Sequence, residues 1–497
     1  MTSPAVSAAA GETLAEVAER MAEHAVGSVV VVEGNRPVGI LTERDLLRAA
    51  AGGVDPRSGL VTDWMTADPH CVDPDSTIDE VWDDLARRGY RHFPVVVAGE
   101  CKGIVSLRDL VAVAQLRPPD ETVMVAPKGL KGVIVAETEL GDVRGGEGFY
   151  HYRQYAAPEL AAKRTFEDVW RLVLDGALPA SPEEAAAFAA EIAPLRDLPE
   201  SVAEVLPEIA AATPSPAFAL RTALSQLAGV MDPPPSLDAS PARLRSDALR
   251  MSAAAPTAIA AMHRLRHGHW PIPPRADLRH AANYLYMLNG KEPAAEQARA
   301  IEQYLILALE HGFNASTFTA RVVTSTGADM GSALVSAMGA LFGPLHGGAL
   351  GRTLETIDAI GTVDNTAAWV RDAVANNRVI MGFGHPVYRT ADPRSLMLRS
   401  IAERTGGELV EFAKRVEVEV ERTLAELKPG RQLHTNVEWF AAVVMELSGL
   451  PRDLFTSTFA ASRIVGWSAQ VMEQAADNRI IRPSARYVGP PPPQPVP

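Results

Sequence analysis

Residues Val379–Arg394 read VIMGFGHPVYRTADPR. Three apolar residues run into Gly382-Phe383-Gly384. His385 follows, then a tyrosine and, nine residues after the histidine, Arg394. Glycines on both sides of Phe383 let backbone come close to a bulky ligand. A histidine directly behind such a turn can give or take a proton. An arginine presents a planar fork suited to a carboxylate. A lone Gly-x-Gly serves turn geometry in most loops, so its company matters. Upstream lies Gly343-Pro344-Leu345-His346-Gly347-Gly348-Ala349, and downstream Asn436-Val437-Glu438-Trp439-Phe440. Together these stretches supply two histidines in glycine-rich turns and one carboxylate.

The chain around them reads as helices. Apolar periodicity at i, i+3, i+4 marks Phe166–Leu174, Pro182–Phe188, Phe218–Leu227, Asp247–Leu265, Asp277–Leu288 and Ala294–Leu309. Prolines and glycines punctuate them and strands are scarce, which predicts a large all-α domain with Ala-rich packing. A short β-rich entry is expected between Gly129–Val133 and Tyr150–Tyr155. Arg117–Lys128 reads as a linker from its Pro-Pro and its loss of periodicity.

Residues 1–117 hold an internal repeat. Gly39-Ile40-Leu41-Thr42-Glu43-Arg44-Asp45-Leu46 recurs as Gly103-Ile104-Val105-Ser106-Leu107-Arg108-Asp109-Leu110, offset by 64. An apolar run precedes each copy, Val29–Val32 and Phe93–Val97, with turns at Glu33-Gly34-Asn35 and Ala98-Gly99-Glu100. Leu14, Val17, Ala18, Met21 and Ala25 form a helical stripe ahead of the first run. Each half therefore reads helix–strand–turn–strand–helix, and two such units packed as a pair are expected. Thr42 and Ser106 can cap the following helices. Alternatively, hydroxyl and carboxylate reach a nucleotide, with the helix N-terminus suited to phosphate.

At 497 residues the chain has room for two to four domains. The net charge of −14 argues against a general nucleic-acid binder, so an anionic substrate needs a local basic pocket. Two cysteines, Cys71 and Cys101, exclude a disulfide framework and a cysteine zinc cluster. The expected setting is a reducing cytoplasm. The first residues, MTSPAVSAAAGE, lack the basic and apolar regions of a signal peptide, and no stretch reaches the ~18 apolar residues of a membrane span. The tail, 490–497, is proline-rich and expected to be polyproline II or disordered.

Several residues have ordinary structural readings when taken singly. His311 can sit at a helix C-terminus, Glu438 at a helix start capped by Asn436, Arg463 on a helix surface, and Arg482 in a terminal turn. Together they describe one chemistry. A carboxylate removes a proton beside a carbonyl. One histidine hydrogen-bonds the enolate oxygen while another polarises a ketone. Arginines hold a di-anionic keto acid. The class is aldol or Claisen carbon–carbon bond formation, with no metal-ligand spacing in view.

Two resemblances sharpen this reading. Residues 5–115 look like a tandem CBS pair (a Bateman module), whose Gly-h-x-Thr/Ser-x-x-Asp motif binds the ribose of adenosine ligands. It is matched at Thr42/Asp45 and Ser106/Asp109, and Arg91–Val95 resembles the family's second-repeat strand. Residues 129–489 resemble citrate synthase through Asn314–Thr317, Gly343–Ala349, Gly382–His385, Asp392-Pro393-Arg394 and Arg463-x-x-Gly466-Trp467. The implied architecture is multidomain: an N-terminal α/β CBS pair (about 5–58 and 59–116), a linker at 118–128, and a mainly α-helical domain with a small subdomain over about 349–442. The resemblance implies His346, His385 and Glu438 as catalytic. It assigns His311, Arg394, Arg463 and Arg482 to oxaloacetate, Arg482 serving the partner subunit's site in a homodimer. Gly347, Gly348, Arg378, Val379, Met381, Gly382 and Gly384 would contact CoA. No cofactor is implied; acetyl-CoA is a substrate, and AMP, ADP, ATP or NADH an effector of the CBS pair.

Three residues depart from the pattern. Glu438 stands where Asp is usual, Pro386 follows His385 where Arg is common, and Gln154 replaces a glycine. Arg378 or Arg389 would then supply the cationic CoA contact. Two rival readings share the residues: a 2-methylcitrate synthase using propionyl-CoA, and a non-catalytic nucleotide-sensing regulator in which Glu438 marks a lost site. A CBS pair acting only in oligomerisation is a third.

Overall fold

The computed structural model describes residues 3–77, 80–81, 84, 92–106, 109–110, 125–347, 350–385, 387–430, 433–490 and 492–493. Gly348, Pro386, Arg91, Leu107, Arg108, most of the linker and most of the proline-rich tail lie outside the described residues. The chain forms two compact units, Met1–Val135 and Ala136–Pro497.

The first unit realises the repeat strand for strand. Ser28–Glu33 pairs antiparallel with Arg36–Thr42, and His92–Val97 with Glu100–Ser106. The register slips between Val31 and Val32 in the first pair and between Val95 and Val96 in the second, so the 64-residue offset carries even the bulge. Ser7–Ala9 adds a parallel strand and Thr66–Ala67 an antiparallel one to the first sheet. The helix Leu14–Glu23 starts with a reciprocal cap: Thr13 N–H donates to Glu16 (2.8 Å) and Glu16 N–H to Thr13 Oγ1. It buries Leu14, Val17 and Met21 against Val29, Val31 and Leu41. Ala25 does not belong to its stripe. The helix ends at Glu23, and Ala25 is exposed with φ 51°, because the chain must reverse at once into the strand from Ser28.

The second unit is helical apart from its entry. Three short antiparallel strands, Val143–Arg144, Phe149–Tyr152 and Tyr155–Ala156, stand there, whereas Lys128–Leu130 is a single tight helical turn. The expected helices are present with shifted ends: Pro216–Met231 and Pro241–Arg266 run longer, His280–Asn289 starts three residues later, and Ala295–Ala308 is one residue shorter at each end. Ser240 explains one such extension, capping Arg243 N–H with Pro241 in the first turn. Pro241–Arg266 and Phe455–Ala476 pack on each other as the centre of the core. Both are rich in Ala and carry several Ser and Thr, which lets backbones approach closely.

Two contacts lead from this core to the loop after Ala308. The Tyr150 hydroxyl donates to Leu307 O (3.2 Å) and that of Tyr152 to Ile306 O (2.8 Å), tying the entry strands to the end of Ala295–Ala308. Gly466 lies so close to that end that a β-carbon would fall 2.2 Å from Leu309 O. Backbone cannot yield as a flexible side chain does. Gly466→Ala is therefore expected to lower stability by about 1–3 kcal/mol, read as a reduced midpoint in denaturant; an unchanged midpoint would contradict the packing.

Candidate active site

A cavity of about 640 Å³ collects residues from six separate stretches of the helical unit. His311, His346, His385, Arg394, Arg463 and Glu438 all line it, with Val379–Gly384 along one wall. A second hollow, about 880 Å³, lies beside it and shares Gly384 and His385.

Short local devices aim each side chain. His311 follows the pinned end of Ala295–Ala308, and its Nε2 lies 2.9 Å from the Tyr388 hydroxyl. Asn314 caps the next helix, Ala315–Ser325, accepting from Ser316 and Thr317 N–H (3.1 Å each). The Ser316 hydroxyl lies 2.7 Å from Asn314 Oδ1 and 2.9 Å from His346 Nε2, and accepts from Trp467 Nε1 at 3.2 Å. Ser316 therefore anchors the His346 ring to two buried elements.

His385 is fixed more tightly. Its Nδ1 accepts from the backbone N–H of Val387 (3.0 Å) and Tyr388 (3.2 Å). The neutral ring must then carry its proton on Nε2, which sits 3.2 Å from Arg394 Nη2. Two donors meet there, so an oxygen placed between them would satisfy both. Arg394 is buried and gripped by Asp392, Nε to Oδ1 at 3.0 Å and Nη2 to Oδ2 at 2.7 Å. Burial alone would lower the Arg394 pKa, but Asp392 outweighs it and the net shift is upward. Arg463 is 2% exposed, donates from Nε to Ala308 O (2.8 Å) and stacks on Phe459, 4.8 Å from the ring centre.

The glycine turn and Glu438 share one backbone frame. Gly384 N–H donates to His434 O (2.8 Å), Asn436 N–H to Gly382 O (2.9 Å) and Asn436 Nδ2 to Gly384 O (3.0 Å). Asn436 Oδ1 also caps Glu438 N–H at 2.9 Å, starting the helix Val437–Leu447. Gly382 has φ 84°, and a β-carbon there would come within 2.8 Å of Trp439. Its close approach is thus to the protein's own Trp439, a use that ligand approach did not anticipate.

Burial dominates the electrostatics. It holds His346 and His385 down at about 4, in both cases with help from a neighbouring arginine, and His311 well below its usual range. All three rings are neutral at physiological pH. Burial raises Glu438 to about 7, with Arg394 opposing. A neutral histidine donor beside a carboxylate poised near neutrality suits proton abstraction next to a carbonyl.

Four predicted contacts do not line this cavity. Arg378 pairs with Asp372 and stacks on Trp369 on the surface. Arg482 is exposed in the extended segment after the last helix. Gly347 is buried with its Cα face against Leu341 and Phe459. Arg389 lines the second hollow instead. The sequence reading missed Arg352, which lines the main cavity from the helix Leu350–Ile360 and has no ion pair among the described residues. A charge on a helix reads as a solvated face, so only its position near His346 marks it. In the first unit, Asp45 accepts from Thr42 N–H (2.9 Å) and Oγ1 (2.7 Å) and from Arg48 (2.6 Å). Asp109 accepts from Ser106 N–H (2.8 Å) and Oγ (2.7 Å). Both motifs thus act as helix-start clamps, whatever else they bind.

Comparison with known proteins agrees with the geometry. A family model described as citrate synthase, C-terminal domain, matches residues 129–484. The chain belongs to the citrate synthase family. It is 40% identical to a citrate synthase of Deinococcus radiodurans, over 73% of this chain and 95% of that protein. Identity to the Haloferax volcanii citrate synthase is 39%, covering 73% and 95%. A citrate synthase crystal structure from Thermotoga maritima superposes with TM-score 0.65 at 34% identity, covering 74% of this chain and 98% of that one. Another, from Thermoplasma acidophilum, is a ternary complex with carboxymethyl coenzyme A and oxaloacetate (TM-score 0.69, 27% identity, 74% and 98% covered). CBS domain models match residues 1–52 and 61–115. This member of the family is an acyltransferase with CBS domains at its N-terminus.

Ser316 offers a test of the His346 anchor. Ser316→Ala removes one orienting hydrogen bond, about 1 kcal/mol. Turnover should fall about fivefold with the KM for the keto acid unchanged; equal kinetics would show that packing alone orients the ring.

Proposed function

We propose that the helical unit condenses acetyl-CoA with oxaloacetate to citrate and CoA, and that the CBS unit binds an adenosine nucleotide that adjusts this activity. The observation that carries the first part is the meeting of His385 Nε2–H and the Arg394 guanidinium at one point of a cavity that Glu438 and His346 also line. A ketone beside a carboxylate, as in oxaloacetate, supplies oxygens for both donors. Arg463 and His311 would hold the second carboxylate end. The Thermoplasma acidophilum relative, crystallised with oxaloacetate and a CoA analogue, supports this choice of substrates.

In this reading Glu438 removes a methyl proton from the acetyl thioester. His346, neutral, donates to the developing enolate oxygen. The enolate carbon attacks the ketone of oxaloacetate, whose oxygen is stabilised by His385 and Arg394. Water then cleaves the citryl thioester and releases CoA. Val379, Met381, Gly382 and Gly384 would line the adenine end of CoA, and Gly347 with Gly348 the thioester. Arg352 takes the cationic role first considered for Arg378, since Arg378 is spent on Asp372. Arg482, away from its own cavity, would serve the partner's site in a homodimer. Glutamate is one methylene longer than the family's aspartate, and about 1 Å of misplacement costs on the order of 10²-fold. The Asn436 frame must therefore set the backbone to compensate.

The matched CBS models support the nucleotide reading. Kinetics with AMP, ADP, ATP and NADH should differ from nucleotide-free kinetics, and Asp45→Asn with Asp109→Asn should erase the difference. Identical curves despite measured binding would sink the regulatory part.

Free CoA release from acetyl-CoA plus oxaloacetate tests the chemistry. Glu438→Gln should lower kcat by about 10²–10⁴-fold. The base works as the carboxylate, and burial has raised its pKa to about 7. Activity should therefore rise with pH through about 7 and be lost below it. A wild type silent with both acetyl-CoA and propionyl-CoA, across the nucleotides, would overturn the enzymatic reading.

A further inference from the structure

Glu310 is a buried acid, directly before the cavity residue His311, that the chemistry above does not use. It is 1% exposed, and the backbone N–H of His311 lies close enough to favour its ionised form; among the described residues neither carboxyl oxygen makes a hydrogen bond of full geometry to a side chain. Oε2 lies against Gly466, where an added β-carbon would come within 2.8 Å of it. Such a carboxylate has lost its water and gained only a backbone N–H in return, a costly state for a charge.

The groups facing it come from every neighbouring element. Tyr152 binds its backbone, accepting from Glu310 N–H (3.3 Å) and donating to Glu310 O (3.0 Å), and is itself neutral, its pKa raised by burial. Arg321 is engaged by Glu473, Gln470 and Gln474, so it has little charge to offer. Glu473 adds a like charge nearby, and His311 is neutral. Arg463 therefore provides most of the positive field that favours ionised Glu310. The balance leaves Glu310 raised to about 7, burial first and Arg463 opposing.

Arg463 is also one of the arginines that line the cavity. A substrate carboxylate docking there would engage the same guanidinium and bring a negative charge toward Glu310. Both effects disfavour its ionised form. We propose that Glu310 is a positioning acid that takes a proton from solvent when the di-anionic keto acid binds, so that substrate affinity is linked to pH through a residue that never touches substrate. By linkage, the protonated acid in turn favours the dianion. This rests on the reading that the cavity holds a keto diacid.

Glu438 would titrate in the same range, so Glu438→Gln is the background for the test. Oxaloacetate is titrated calorimetrically into this full-length variant at pH 7, in two buffers of different ionisation enthalpy. About half a proton should be taken up per site, as expected for an acid with pKa near 7. Adding Glu310→Gln should abolish uptake while binding persists. Uptake that survives in the double variant, or none in the Glu438→Gln protein, overturns the proposal and leaves the synthase reading intact. Absence of any oxaloacetate binding overturns both. Should the double variant fail to fold, Glu438→Gln alone decides: affinity about fivefold to tenfold tighter at pH 6 than at pH 8 is expected, and a flat profile refutes it.

Discussion

The backbone lacing of Gly382–Gly384 to His434–Asn436 is the constraint on which the active centre depends. Three hydrogen bonds join these stretches across about fifty residues of chain. One side carries His385 and the other Glu438. Neither side chain could hold its place if the other segment shifted, because Asn436 bonds the glycine turn through its side chain while capping the Glu438 helix. Gly382 makes the lacing possible. Only a residue without a β-carbon can take φ 84° directly against Trp439.

A second constraint is the removal of water from a crowded set of ionisable groups. Three histidines become neutral, and Glu438 and Glu310 both rise to about 7. The arginines remain charged, but they are treated differently. Arg394 is locked to Asp392 in a two-point ion pair, which orients it and offsets its charge. Arg463 instead has a backbone carbonyl and an aromatic face as its close partners. An acidic chain thereby concentrates positive charge where a dianion would sit, as the net charge of −14 requires of any anion-binding protein.

Much of this was legible in the chain. The repeat in the N-terminal unit came through with its hairpins and even its bulge, because strand register repeats with sequence offset. The three cavity histidines, Arg394 and Glu438 were readable as a set because each sits in or beside a short motif of glycine, proline or asparagine that marks a turn or cap. Other features were not readable. Ala25 looked like a fifth helical contact and is a turn residue, since periodicity does not reveal where a chain must reverse. Arg378 looked available as a cationic CoA contact and is tied to a neighbouring aspartate. Arg352 belonged to none of the quoted motifs and lines the cavity.

The sequence by itself determined the residue types: which side chains can move protons, which can hold carboxylates, and which turns present them. Those properties belong to local chemistry and short-range spacing. Only the tertiary structure decided which of them share a cavity, which arginine is free and which is paired, and how far each acid is moved from its ordinary pKa. These depend on burial and on contacts between residues far apart in the chain, and neither quantity is written in any one stretch of it.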